Sequence, residues 1–180
     1  MNRRLPLALI LFFLLLSACS SGVDSNLVTK HAEADNLRLT VISPKEVSSN
    51  EIFNVEVSLQ NVGDESVELA YSDPLIDLYV LNESGEAVKS FASFANEASR
   101  TIAPEEIVDG QYPLTLPEAG SYEVNVRTSG LTVNGEPLEG IGNERYLEYV
   151  RSRNPNLSEK NIAHIQTAIM IEEPIIIKVD

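Results

Sequence analysis

The sequence predicts an all-β fold, an antiparallel sandwich with a short helical insertion before its last strand. Three observations point there. Short apolar–polar alternations recur from residue 37 to the C-terminus. Turn signals separate them at intervals of roughly 8–12 residues, the spacing of sandwich strands. One segment, about 141–166, abandons period 2 for helical spacing before an apolar run closes the chain.

Each element has its own signature. LRLTVIS sets Leu37, Leu39 and Val41 against polar or smaller neighbours. IFNVEVSLQ puts Phe53, Val55, Val57 and Leu59 on one face and Asn54, Glu56, Ser58 and Gln60 on the other, the pattern of a half-buried strand. NVGDES reads as a turn, SVELAY and LIDLYVL as strands, NESGE as a turn, and AVKSFASF as a further strand. SRTIAPEEIV and QYPLTL lead to the turn PEAG, and SYEVNV alternates Tyr122, Val124 and Val126 inward. AIMIEEPIIIKVD is β-branched but interrupted by Pro174, which cannot donate a ladder hydrogen bond, so a bulge or an edge is expected there.

In the insertion, Tyr146, Leu147 and Val150 recur at helical spacing, with Pro155 as a stop. Ser158 fits an N-cap, with Leu157 and Ile162 placed for a hydrophobic staple. Helices are therefore expected over about 143–152 and 158–166. The competing reading gives Ala163 to Ile171 to the final strand, since alternate residues there are also apolar.

"VSLQNVGDESVELAYSDPLIDLYVLNESGEAV", "IAPEE" and "LTLPEAGSYEVNV" carry a family likeness. Together they resemble the Ig-like and proteinase-inhibitor-like (BsuPI-type) sandwich domains of bacterial surface lipoproteins. That resemblance implies an Ig-like antiparallel β-sandwich and, as one alternative activity, protease inhibition.

The N-terminus speaks to location. Arg3 and Arg4 precede an apolar run from Leu5 to Leu16, then the small residues Ser17 and Ala18. This is the layout of a secretory signal peptide. The run is short of the roughly 20 residues a transmembrane helix needs. Leu16-Ser17-Ala18-Cys19 resembles the lipobox of bacterial lipoproteins, which implies cleavage before Cys19 and a diacylglycerol on its sulfur. Cys19 is the only cysteine, so no disulfide staples the domain. A single acyl chain anchors marginally, and stable attachment takes two. The expected organisation is a signal peptide over 1–18, a lipidated cysteine and flexible tether over 19–36, and a sandwich domain over 37–180. Ser20 follows the cysteine in place of an inner-membrane retention aspartate, which favours the outer membrane where the host has one.

Removing residues 1–18 takes away Arg3 and Arg4 and leaves 27 acids against 11 Lys and Arg, a net charge of −16. Nucleic acid is excluded as a partner, because phosphate binding needs a basic footprint. An electrostatic grip on anionic lipid is excluded for the same reason, so the membrane partner is reached through the lipid on Cys19. No G-x-S-x-G, H-E-x-x-H or phosphate loop is present, and the two histidines, His31 and His164, lie far apart in sequence. Asp64-Glu65 and Asp73/Asp77 offer acids for calcium but no loop of EF-hand type, so no metal or cofactor is expected. The expected function is a non-catalytic, lipid-anchored binding or accessory module outside the cytoplasm. A carboxylate-based hydrolase on envelope glycans is the second alternative, since paired acids need no special spacing in sequence. Basic charge gathers in the insertion, where Tyr146, Tyr149, Arg151 and Arg153 are candidate anchors for a protein partner. The competing role for this segment is a cap over the sandwich.

Overall fold

A computed structural model describes residues 26–91, 96–141 and 143–180. The expected signal peptide, Cys19 and the first part of the expected tether lie outside the described residues. The fold is the expected Ig-like antiparallel β-sandwich, with two helices before the last strand.

One sheet has the order β1 (Leu27–Ala34), β2 (Leu37–Pro44), β4 (Ile52–Asn61), β9 (Ile107–Thr115). The second runs β3 (Glu46–Val47), β13 (Ile175–Val179), β10 (Gly120–Thr128), β6 (Ile76–Leu81), β7 (Ala87–Phe91). A smaller one runs β12 (Glu136–Pro137), β11 (Thr132–Val133), β5 (Val67–Asp73), β8 (Asn96–Ile102). Asn134 and Gly135, both at positive φ, turn β11 into β12, as an Asn-Gly hairpin requires.

The inward faces of all three sheets meet in one core. Leu39, Val57 and Leu59 from the first sheet join Leu78, Val124 and Ile177 from the second and Leu69 and Ile102 from the third. Each side chain fully buried in this way contributes about 1.5–3 kcal/mol before entropy is counted. Polar groups at the ends are satisfied locally. Asn61 is fully buried, and its amide donates to the carbonyls of Glu65 and Ile102 while its oxygen accepts from Gly63 N–H. In the PEAGSY turn, Tyr122 Oη donates to the Glu118 carbonyl at 2.9 Å, the reach-back of a tyrosine corner.

Part of the expected tether is a strand of the domain. Leu27–Ala34 is strand β1, paired along its whole length with β2. Its inward positions are Val28, Lys30, Ala32 and Ala34, and the three apolar ones pack against the core. Two alanines and a lysine in that row flatten the hydropathy alternation, so the strand does not stand out in sequence. Lys30 reaches across to Glu173, 3.2 Å away.

The insertion forms α1 (Glu144–Arg153) and α2 (Glu159–Gln166). Ser158 caps α2, its hydroxyl accepting from Asn161 N–H at 3.2 Å. The two readings of residues 163–171 each hold for part of the segment. The helix runs to Gln166, and the chain then lies beside β10, where Thr128 N–H donates to the Ile169 carbonyl and Ile171 N–H to the Val126 carbonyl. Pro174 separates that pairing from β13, which pairs with the other end of β10. Pro113 sits within β9, an edge strand, where a missing donor is tolerated.

Candidate functional site

Helix α1 lies on the outward face of the second sheet. That face is unusually rich for a surface. Along β6 the outward positions are Asp77, Tyr79 and Leu81, and along β10 they are Glu123, Asn125 and Arg127. Tyr79, Leu81 and Met170 form a small apolar cluster there, and Tyr146 and Tyr149 of α1 pack against it. The Tyr146 ring is 5.1 Å from that of Tyr79 and 6.2 Å from that of Tyr149, centroid to centroid.

Beneath this aromatic layer lies an ion pair. Arg127 Nη2 donates to Asp77 Oδ2 at 2.9 Å, and the two side chains are 2% and 0% exposed. The guanidinium also sits 4.8 Å from the Tyr146 ring centroid, within cation–π range. Burial pushes the Asp77 carboxyl up to about 6 against the pull of Arg127. Tyr79 is pushed far up by burial and by its aromatic and acidic neighbours. Asp77 is therefore committed to Arg127, although the sequence offers it for calcium. Among the described residues no group of three or more His, Cys, Asp or Glu is placed to hold a metal.

The four candidate anchors divide. Tyr149 Oη donates to the Gly85 carbonyl at 3.0 Å, and Arg153 Nη2 donates to the same oxygen at 2.8 Å. Arg153 also lies 5.2 Å from the Tyr149 ring centroid. These contacts pin the end of α1 to the β6–β7 turn. Tyr146 is half-buried between Tyr79 and Arg127. Arg151 is exposed. A shallow cleft opens between helix and sheet, with Tyr79, Tyr146 and Tyr149 in its lining and Glu123, Glu172 and Arg145 among its polar residues. Arg145 and Glu123 stand 3.7 Å apart across it. The sequence reading missed Tyr79 and Arg127, and named Asp77 only as an acid for calcium. The available signal was a charge inside the otherwise apolar LIDLYVL and an arginine at the end of SYEVNVRT, whose polar residues alternate with apolar ones.

His164 belongs to a second junction, between α2 and the chain after β10. Its Nε2 accepts from Gly130 N–H at 3.2 Å, which requires a neutral ring. Burial first, then the charges of Arg127 and Lys160, hold its pKa below the ordinary 6.5. The unfolded chain therefore takes up this proton first as pH falls. Stability contributed here is present above about pH 6.5 and is lost on acidification through the folded pKa. Urea unfolding across that range should show a steeper acid loss for the wild type than for His164→Asn. Equal slopes would remove His164 from the pH response.

No protein-family model and no curated protein sequence matches this chain. Among solved structures, the CARDB domain of the PF1109 protein from Pyrococcus furiosus, in complex with di-metal ions, is 15% identical, covering 86% of this chain and 87% of that one, with a TM-score of 0.36. Spo0M, a sporulation control protein from Bacillus subtilis, is 23% identical over 59% of this chain and 46% of its own, at 0.33. A PapD-like domain of human CEP192 is 12% identical over 82% and 85%, at 0.32. The likenesses are distant and say nothing of a site.

Proposed function

We propose that this protein is a lipid-anchored, non-catalytic binding or accessory module of the bacterial cell envelope, held outside the cytoplasm through Cys19. The observation that carries this reading is Leu16-Ser17-Ala18-Cys19, set directly after a charged start and an apolar run. The architecture supports it. A sandwich with a strand beginning at Leu27 leaves residues 20–26 to connect domain and lipid, a connection of at most about 26–29 Å at full extension. The strongly perturbed groups support a scaffold role too, since Asp77 and Tyr79 are buried under α1 and face each other's partners rather than open solvent.

The partner is a protein of the same envelope, contacted through the outward side of α1 and the cleft beneath it. Arg151, exposed on the helix, and Arg145 on the cleft present positive charge on this side of a strongly acidic molecule.

The anchor has a direct test. Cys19→Ser should move the protein from the membrane fraction to the soluble fraction, or leave it uncleaved. Intact mass spectrometry of the wild type should show an acylated N-terminal cysteine. A Cys19→Ser protein that is still cleaved after Ala18 and still fractionates with the membrane would overturn the reading.

A further inference from the structure

The geometry points to a second membrane contact: the end of the sandwich nearest Cys19 rests against the bilayer interface through Leu27 and Ile52. This rests on the lipid anchor at Cys19.

Pairing registers define that end. The Asn26 carbonyl accepts from Lys45 N–H at 2.7 Å, and its side-chain amide donates to the Glu46 carbonyl and accepts from Glu46 N–H. Glu46 is registered with Lys178, and Asp180 N–H donates to the Val47 carbonyl. Ser49 belongs to the same end, since its N–H donates to the Asp180 carbonyl and its hydroxyl to the Pro117 carbonyl. Ile52, registered with Thr115, starts β4 at the same end.

The outward face of the first sheet is graded from this end. Directly paired residues point to the same side, so Leu27, Thr29, Ile42, Glu56 and Gln111 share the outward face with Ile52. The pairs nearest the anchor, Ile52–Thr115, Leu27–Pro44 and Asn54–Pro113, hold no charge. Glu56 is the first charge, in the next row. His31 and Asp109 share a row beyond it, and Glu33 and Arg38 the last row. Ile52 is 76% exposed, the most exposed large apolar side chain among the described residues, and Leu27 is 45% exposed.

An exposed isoleucine is ordinary by itself; what sets Ile52 and Leu27 apart is that the rows they stand in hold no charge and lie at the end from which the chain leads to Cys19. The chain connecting it to the lipid decides the occupant. Leu27 cannot be farther than about 26–29 Å from the acylated sulfur's own backbone, even at full extension. The bilayer is thus held at high effective concentration beside this end. Lys45 and Lys178 sit there among Glu46, Glu51 and Asp180, so the charges nearly balance and the contact is apolar rather than electrostatic. The same face ends, at the far side, in Ile107, which is 53% exposed and registered with Gln60. Ile107 stands at the end of the sheet farthest from the membrane in this arrangement and serves as the internal control.

The chain has no tryptophan, so a single reporter can be introduced. The acylated full-length protein is prepared as Ile52→Trp and as Ile107→Trp and placed in phosphatidylcholine vesicles with or without bromine on the acyl chains. Mass spectrometry verifies acylation, and flotation verifies attachment. The expected result is a blue-shifted emission at position 52, quenched by bromolipid several-fold more than at position 107. Attached protein with equal, weak quenching at both positions overturns this contact and leaves the anchor standing. A blue shift at position 52 without bromolipid quenching means that protein covers the patch and overturns it as well. Absence of acylation overturns the contact and the anchor together.

Discussion

Asp77→Ala should destabilise the domain by about 3–5 kcal/mol, read as a fall in the urea midpoint at unchanged slope. The cause lies in what is left behind. Arg127 is 2% exposed, and its side chain is held by Asp77 below and the Tyr146 ring above. Removing the carboxylate strands a charge inside the protein, beneath a helix that excludes water. The opposite change should have the opposite sign. Replacing both partners, Asp77→Leu with Arg127→Met, should be neutral or stabilising by up to about 4 kcal/mol, because the attraction within a buried pair returns less than the two charges lose on burial. The carboxyl pKa of about 6 expresses the same imbalance. It also fixes a pH response. Unfolded, this group releases its proton near 3.8; folded, it holds the proton to about 6. Between those values the folded state binds more protons, so stability falls as pH rises through the window and is level above it. The double variant should lack that fall. A single variant as stable as the wild type, or a double variant less stable than either single one, would show that the pair is not the burden described.

This pair also shows where sequence reading stops. The strands of the core announce themselves because a residue's side is decided by its neighbour: Phe53, Val55, Val57 and Leu59 alternate with polar residues, and all four are buried. Ser158 was legible as a cap because a hydroxyl before an apolar helical run has one local use, and it accepts from Asn161 N–H as a cap should. Strand β1 was not legible, since its inward row mixes Val28 and two alanines with Lys30, and burial there depends on lying beside β2. The outward face of β6 and β10 was legible only in part. Asp77 and Arg127 look like ordinary surface charges in a strand until a helix from much later in the chain covers them. Tyr146, Tyr149 and Arg153 were found by type, as residues enriched at interfaces, but that rule does not distinguish an interface between proteins from one between a helix and its own sheet.

That ambiguity gives the second large effect. Tyr146→Ala should cost about 2–4 kcal/mol, somewhat below the 3–5 or so of a fully buried aromatic truncation, since the ring is only half-buried. It loses the Tyr79 and Tyr149 rings and uncovers Arg127. Tyr149→Ala should cost less, about 1–3 kcal/mol, from the ring contact and the bond to Gly85. Arg151→Ala should leave stability within about 0.5 kcal/mol, the range of ordinary surface substitutions. Thermal unfolding of the three variants checks the order, and backbone hydrogen exchange locates the change. Tyr146→Ala should accelerate exchange in α1 before it does so in the strands, because its ring packs the helix against the face of β6 and β10. The order matters for function. Binding lost in Tyr146→Ala alone reports a loosened helix, whereas binding lost in Arg151→Ala, with the fold intact, reports a partner. If all three variants keep wild-type stability, α1 is not fastened by its tyrosines, and they are free to serve as anchors.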